Sequence, residues 1–239
     1  MRILRHFSAI ALAGVCATAA ALDIEYVGSF GPGFEGGAEI AAFDPATTRL
    51  FVTNSESNTL DRYDLTDPSA PATLASVDLA PYGGGPNSVA VSNGLVAVAV
   101  EADPAQDPGV VVFFDADGNL IGQVSVGPLP DMVTFTPDGT RLLVANEGEP
   151  DDDYNVDPEG SVSIIDLSSG VGSATVQTAT FTDFNAGGAL AGDLPDDVRI
   201  FGPGATVAQD LEPEYISTNE TGTTAWVTLQ VAFVSSTVA

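Results

Sequence analysis

Lysine is absent from this sequence, and histidine and cysteine occur once each, as His6 and Cys16. Both stand in a stretch that reads as a secretory signal. Arg2 and Arg5 supply a positive start, Phe7 to Val15 is apolar, and Ala19-Ala20-Ala21 offers small residues for cleavage. The apolar run is too short for a membrane span, and bulky Val15 argues against lipidation at Cys16. Residues 1–21 are therefore expected to be a signal peptide, with a mature product starting near Leu22. That product has neither imidazole nor thiol. A Ser-His-Asp triad, a cysteine nucleophile, zinc held by thiolate or imidazole, and disulfides are all excluded.

What remains is oxygen chemistry: Asp, Glu, Asn, Gln, Ser, Thr, Tyr and backbone carbonyls, with a few arginines. Such hard donors suit calcium or magnesium. The charge is one-sided, with 6 basic residues against 33 acidic ones and a formal net charge of −27. This field repels nucleic acid and anionic membrane, so neither is an expected partner. Most of the carboxylates read as a solvated surface. Hydrophobic residues make up 44% of the chain, enough for a core and too many for an acidic disordered tail.

Short apolar stretches bounded by Pro, Asp and Gly, without helical periodicity, predict an all-β protein. The first set of four strands covers Ala38-Phe43, Arg49-Thr53, Thr59-Leu65 and Thr73-Leu79. The second covers Ser88-Val91, Leu95-Val100, Val110-Asp115 and Gly122-Val126. The third covers Met132-Thr136, Arg141-Ala145, Ser161-Leu167 and a looser Val176-Phe181, interrupted by the acidic loop Glu149-Gly160. A Gly/Ala/Pro-rich segment, Asn185-Val207, precedes a fourth set begun by Tyr215-Ser217 and Ala225-Leu229. Asn87 and Asp131 begin successive sets 44 residues apart, and Glu39 and Asn87 are 48 apart. Four strands in roughly 40–45 residues is the spacing of a propeller blade. The expected fold is a β-propeller of four-stranded blades, with about three and a half present over residues 22–230 and a divergent tail over 231–239.

The polar residues follow the same repeat. First strands begin with Glu39, Asn87, Asp131 and the Glu212/Glu214 pair, and second strands end at Asn54, Glu101, Asn146/Glu147 and Gln230. In a blade those two places share one face, so side-chain oxygens of four repeats converge on one end of the channel. The expected cation ligands are Glu39, Glu101, Asp131, Glu147, Glu149, Glu212 and Glu214, with calcium as the ion. The same residues could equally cap strand ends and satisfy loop amides. Gly31-Pro32-Gly33-Phe34-Glu35-Gly36 matches G-x-G-x-x-G, but no helix pattern follows it. Asp151 to Asp157 is calcium-loop-like, yet lacks the sixth-position Gly and twelfth-position Glu of an EF-hand; a looser calcium-stabilised loop stays open beside a solvated one. Asn219-Glu220-Thr221 is a glycosylation sequon.

Gly37-Ala38-Glu39-Ile40, Asn87-Ser88-Val89-Ala90-Val91, Pro130 to Gly139, Ala145-Asn146-Glu147-Gly148-Glu149-Pro150, Asp157 to Val162 and Gln209 to Tyr215 together carry a family resemblance. Across Leu22 to Gln230 the chain resembles the secreted choice-of-anchor I domain family, also described as similar to a mesenchyme-specific cell-surface glycoprotein. The resemblance implies a propeller related to YVTN-type repeats in an exported or surface protein. Relatives are often labelled alkaline phosphatase or stand beside phosphatase and nucleotidase domains. After Thr228-Leu229-Gln230 the family pattern would continue through further blades, whereas Val231 to Ala239 departs from it, as a truncation would. Such a truncation would leave a strand edge near Leu229 open to self-association. The first functional expectation is an exported propeller fragment whose acidic face binds a divalent cation and an extracellular ligand, without catalysis. The alternative is a calcium-dependent phosphoester hydrolase in which Glu147, Glu149, Glu212 and Glu214 hold metal and Arg141 or Arg199 clamps phosphate. A third reading is a purely structural adhesion module.

Overall fold

The computed structural model describes residues 26–27, 38–196 and 198–230, and the backbone of 235–238. The expected signal at 1–21 and the glycine-rich motif at 31–36 lie outside the described residues.

Four antiparallel sheets follow one another along the chain. The first contains β1 (Ala41–Asp44), β2 (Arg49–Asn54) and β3 (Thr59–Asp64), with β4 (Ala72–Thr73) and β5 (Val77–Asp78) both paired to β3. The second is β6 (Gly85–Ser92), β7 (Leu95–Glu101), β8 (Pro108–Asp115) and β9 (Leu120–Pro128), paired in order. The third is β10 (Pro130–Phe135), β11 (Arg141–Asn146), β12 (Ser161–Asp166) and β13 (Thr175–Thr180), again in order. A short helix, α1 (Val207–Asp210), precedes β14 (Pro213–Thr218), β15 (Ala225–Leu229) and β16 (Ser235–Val238), which form the fourth sheet.

These meanders stack face to face, and β7 shows how. Val96, Val98 and Val100 turn into the cluster shared with Phe51 and Leu60 of the first sheet. Ala97 and Ala99 turn the other way, joining Phe113 to Val133, Leu142, Val144 and Ile165 of the third. Period-two alternation with both faces buried gives an uninterrupted apolar strand. Phe113 is 0% exposed, and its truncation to Ala is expected to cost about 3–5 kcal/mol. A third cluster joins Leu143, Val162, Ile216 and Val227 across the third and fourth sheets, sealed by Leu211 and Phe181.

Polar pins reinforce the stacking. Arg49 of the first sheet pairs with Asp117 in the β8–β9 turn and donates to the Ala116 carbonyl. Arg62 donates from Nε to Ala75 O at 2.9 Å and from Nη1 to Ala116 O at 3.3 Å. Ser88 Oγ accepts from Val133 N at 3.2 Å, linking the first strands of the second and third sheets.

The expected strand Thr73-Leu79 is two short pieces. Between them, Leu74 N donates to Arg62 O, the Ala75 carbonyl turns to the Arg62 guanidinium and Ser76 Oγ donates to Asp61. The segment 185–207 is irregular as anticipated, but α1 was not. Its signal is Thr206-x-x-Gln209: Thr206 accepts from Gln209 N while Gln209 accepts from Thr206 N, a complete capping box. Residues 235–238 of the divergent tail pair with β15 from Ala225 to Thr228, occupying the edge expected to be open.

Candidate functional site

One irregularity, repeated in three sheets, gathers the polar residues at one end of the first strands. The register between first and second strands shifts at Pro86/Ser88, at Pro130/Met132 and at Pro213/Tyr215. The extra residues are Asn87, Asp131 and Glu214, each immediately after a proline. A proline donates no ladder hydrogen bond, and a bulge turns its extra side chain away from the pleat. Glu39 holds the corresponding place in the first sheet. Its N–H donates to Thr53 O, and the next N–H, of Ile40, donates to Thr53 Oγ1 at 3.0 Å. The fourth sheet uses the same device, Tyr215 N donating to Thr228 Oγ1 at 3.2 Å. The repeated Pro–polar pair was visible in the sequence as the cause of this geometry and went unread.

A cavity of about 380 Å³ is bounded by the first strands of all four sheets, with Ile40, Asn87, Asp131 and Glu214 among its walls. The second strands end beside it. Glu101 accepts from Asn87 Nδ2 at 3.2 Å, and Asn87 also donates to Pro130 O. Glu147 N donates to Leu129 O, while Gln230 N donates to Glu212 O. Ser55 Oγ donates to Glu39 at 2.5 Å. Asn54, expected to face the same end, donates to Asp61 at 3.0 Å and accepts from Ser57 N, and so serves as a turn cap.

The electrostatics record this convergence. Glu147 is only 5% exposed. Burial first, then Asp131, Glu149, Glu214 and Glu212, push its pKa up to about 8. Asp131 rises to about 6, through burial and then Glu214, Glu149, Glu101 and Glu39. Five of the seven expected ligands, Glu39, Glu101, Glu147, Glu149 and Glu214, thus share a field with Asp131. Beside Glu147 in sequence, wholly buried Asn146 donates to Ser161 O, Ser161 Oγ and Ser163 Oγ, yet its Oδ1 has no partner. Among the described residues, no group of three acidic side chains stands close enough to form a ready-made metal cage.

Glu212 looks partly elsewhere. Its pKa is raised to about 7 by burial, then Glu149, Asp210 and Asp157. It lines a side recess of about 150 Å³ with Tyr154, Asp157, Phe201, Gln209 and Asp210, between the two insertions. Asp210 accepts from Phe201 N at 2.6 Å and Gly202 N at 3.0 Å, and Gln209 Nε2 donates to Asp157 O, stapling one insertion to the other. Asp157 and Asp210 were missed as companions of Glu212, because their loops lie 52 residues apart in sequence.

The other sequence features fall apart from the channel. Arg141 begins β11, at the strand end opposite Asn146, and cannot clamp a phosphate at these carboxylates. Arg199 lies 5.7 Å over the Phe201 ring beside the recess. The Asp151–Asp157 loop closes on itself, Asp151 N donating to Val156 O and Asn155 N to Asp151 Oδ1. The sequon residue Asn219 accepts from Thr223 N and Thr224 N within its hairpin turn. No helix among the described residues is long and apolar enough to cross a membrane.

Solved structures share the architecture. The chain is similar to a putative 6-phosphogluconolactonase from Bacteroides uniformis (14% identity, 84% of this chain and 53% of that one, TM-score 0.51). It is also similar to a putative 6-phosphogluconolactonase from Bacteroides fragilis (14%, 90% and 58%, TM-score 0.51). A third is the Pseudomonas aeruginosa periplasmic gluconolactonase PpgL (17%, 85% and 56%, TM-score 0.50). The chain therefore spans 53–58% of the length of these structures, and at such identities the likeness is one of fold. A comparison with curated protein sequences gave no match. The repeated strand pattern, the stacked antiparallel meanders and a family profile matching residues 39–232 agree, and the chain belongs to the choice-of-anchor I domain family, with a β-propeller fold.

Proposed function

We propose that this chain is an exported propeller module whose acidic channel face binds a divalent cation, calcium foremost, and through it an extracellular ligand. The observation that supports this most is the set of bulges that brings Asp131 and Glu214 to one cavity beside buried Glu147. Burying like charges without a counter-charge is costly, and a cation relieves it. Because the carboxylates are spread rather than caged, the ion must accept irregular oxygens at several distances. Calcium does so, whereas magnesium demands a near-octahedral shell. Among the described residues no arginine stands beside these carboxylates to hold a phosphoryl group, and the reading as a binding face rests on that arrangement. An ion bound only to the folded state raises the melting temperature by mass action. Millimolar calcium is expected to raise it more than magnesium does, and the double variant Glu147→Gln/Glu214→Gln to lose that response. Equal shifts for both ions, or none, would count against the proposal.

A further inference from the structure

The acidic end is not the molecule's only concavity. At the other end of the strands, between the third and fourth sheets, lies a cavity of about 370 Å³. Its floor is apolar: Leu143 and Val162 are buried, Ile164 is partly buried, and Ala225 faces them from β15. Its lining is completed by Arg141, Gln177, Thr223 and Thr224, with buried Thr136 bonded to Asp138 behind them. None of its lining residues is acidic, in a chain with 33 acidic residues.

Arg141 stands apart from the other arginines among the described residues. Arg49 is paired with Asp117, Arg62 is spent on two carbonyls, and Arg199 stacks on Phe201. The exposed Arg141 side chain makes no hydrogen bond or ion pair among the described residues. Its cross-strand neighbour is Asp166. That carboxylate accepts from Ser168 N and Ser168 Oγ, which lower its pKa before the more distant pull of Arg141 does. Asp138, on the adjoining turn, is likewise engaged by Thr136 and Thr140. The channel carboxylates sit at the far end of β11, six residues and therefore roughly 20 Å away. That is more than twice the screening length of about 8 Å at physiological salt.

We infer that this cleft binds a small amphiphilic anion, an organic carboxylate with an apolar body. The carboxylate sits on the Arg141 fork with the Thr224 hydroxyl beside it, and the body covers Leu143, Val162 and Ile164. The size falls within the range of small-molecule pockets, and a few polar groups on an apolar wall is their usual make-up. A guanidinium meets a carboxylate in two parallel charge-assisted hydrogen bonds, which a neutral head group cannot match.

The test is calorimetric titration of the folded chain with octanoate, octanol and octyltrimethylammonium. Octanoate is expected to bind saturably and more tightly than either of the others. Arg141→Gln is expected to weaken octanoate about ten- to hundred-fold and leave octanol unchanged. Because Arg141 holds nothing in place, that variant should melt at the wild-type temperature. Should it melt lower, Arg141→Lys keeps the charge, loses the fork, and must bind octanoate with intermediate strength. Undetectable octanoate binding at millimolar concentration, equal binding of octyltrimethylammonium, or an unchanged affinity in Arg141→Gln would each overturn the inference.

Discussion

The Asn87 amide donates to the Glu101 carboxylate at 3.2 Å, tying the bulge of one strand to the end of its neighbour within the second sheet. At the corresponding places the other sheets present Glu39, Asp131 and Glu214. Asn87 is thus the neutral member of an otherwise acidic set of four among the described residues. It supplies a donor where every other member supplies charge.

Replacing Asn87 with Asp is expected to destabilise the cation-free protein by about 1–3 kcal/mol. It exchanges a hydrogen bond to a charged group for a like-charge contact with Glu101. The same change should enlarge the calcium-induced rise in melting temperature. Paired melting curves with and without calcium measure both effects, and a smaller calcium response in Asn87→Asp would remove these four positions from consideration as an ion site.

Stability without cation should fall as pH rises. Glu147 moves from an ordinary 4.5 to about 8 and Glu212 from 4.5 to about 7. Asp131 moves from 3.8 to about 6. Between the unfolded and folded values the native state holds more protons than the unfolded chain, so unfolding becomes easier with each step of pH. The stabilisation is complete below about pH 4 and is lost as pH climbs through 8. Urea melts across this window should show the decline, with Glu147→Gln flattening its upper part. Added calcium should oppose it.

Gly127 is expected to tolerate no side chain. A Cβ there would come within 2.8 Å of Asn146 Cβ and Cγ and 2.9 Å of Ser161 Oγ. Those atoms are buried in a sheet interface and have nowhere to retreat. Gly127→Ala should cost about 1–3 kcal/mol through overpacking. It should also weaken calcium binding more than Gly172→Ala, whose added carbon meets nothing within 4 Å.

Thr206→Ala removes the cap of α1 and should cost about 0.5–2 kcal/mol. The loss should be local. Gln209 would no longer be held for its bond to Asp157 O, so amide exchange should accelerate at residues 201–212 before it does in β7 or β11.

Much of the fold was legible because β-structure with turns leaves a strong local record. The Asn93-Gly94 hairpin is the clearest case, with both residues at positive φ and Ser92 paired to Leu95, as a two-residue turn requires. The apolar runs of β7 and β11 were equally plain. The divided strand after β3 was not, since an arginine on a neighbouring strand breaks it and local sequence carries no trace of that. The placement of Glu39, Asp131 and Glu147 at one end could be read from strand period alone. The separation of Glu212 toward Asp157 and Asp210 could not, because it depends on two insertions folding over each other. The distance of Arg141 from the acidic end has a simpler reason: a strand's first and last residues are close in sequence but lie at opposite ends of the strand.

A bulged residue does not take part in the alternation that fixes the rest of its strand. Asn87, Asp131 and Glu214 can therefore be exchanged without moving any core side chain across a sheet. Core alternation and the charge at this end of the sheets are carried by different positions in the same strand. A single codon change per sheet can recharge this end of the strands while the stacked valines and alanines remain as they are.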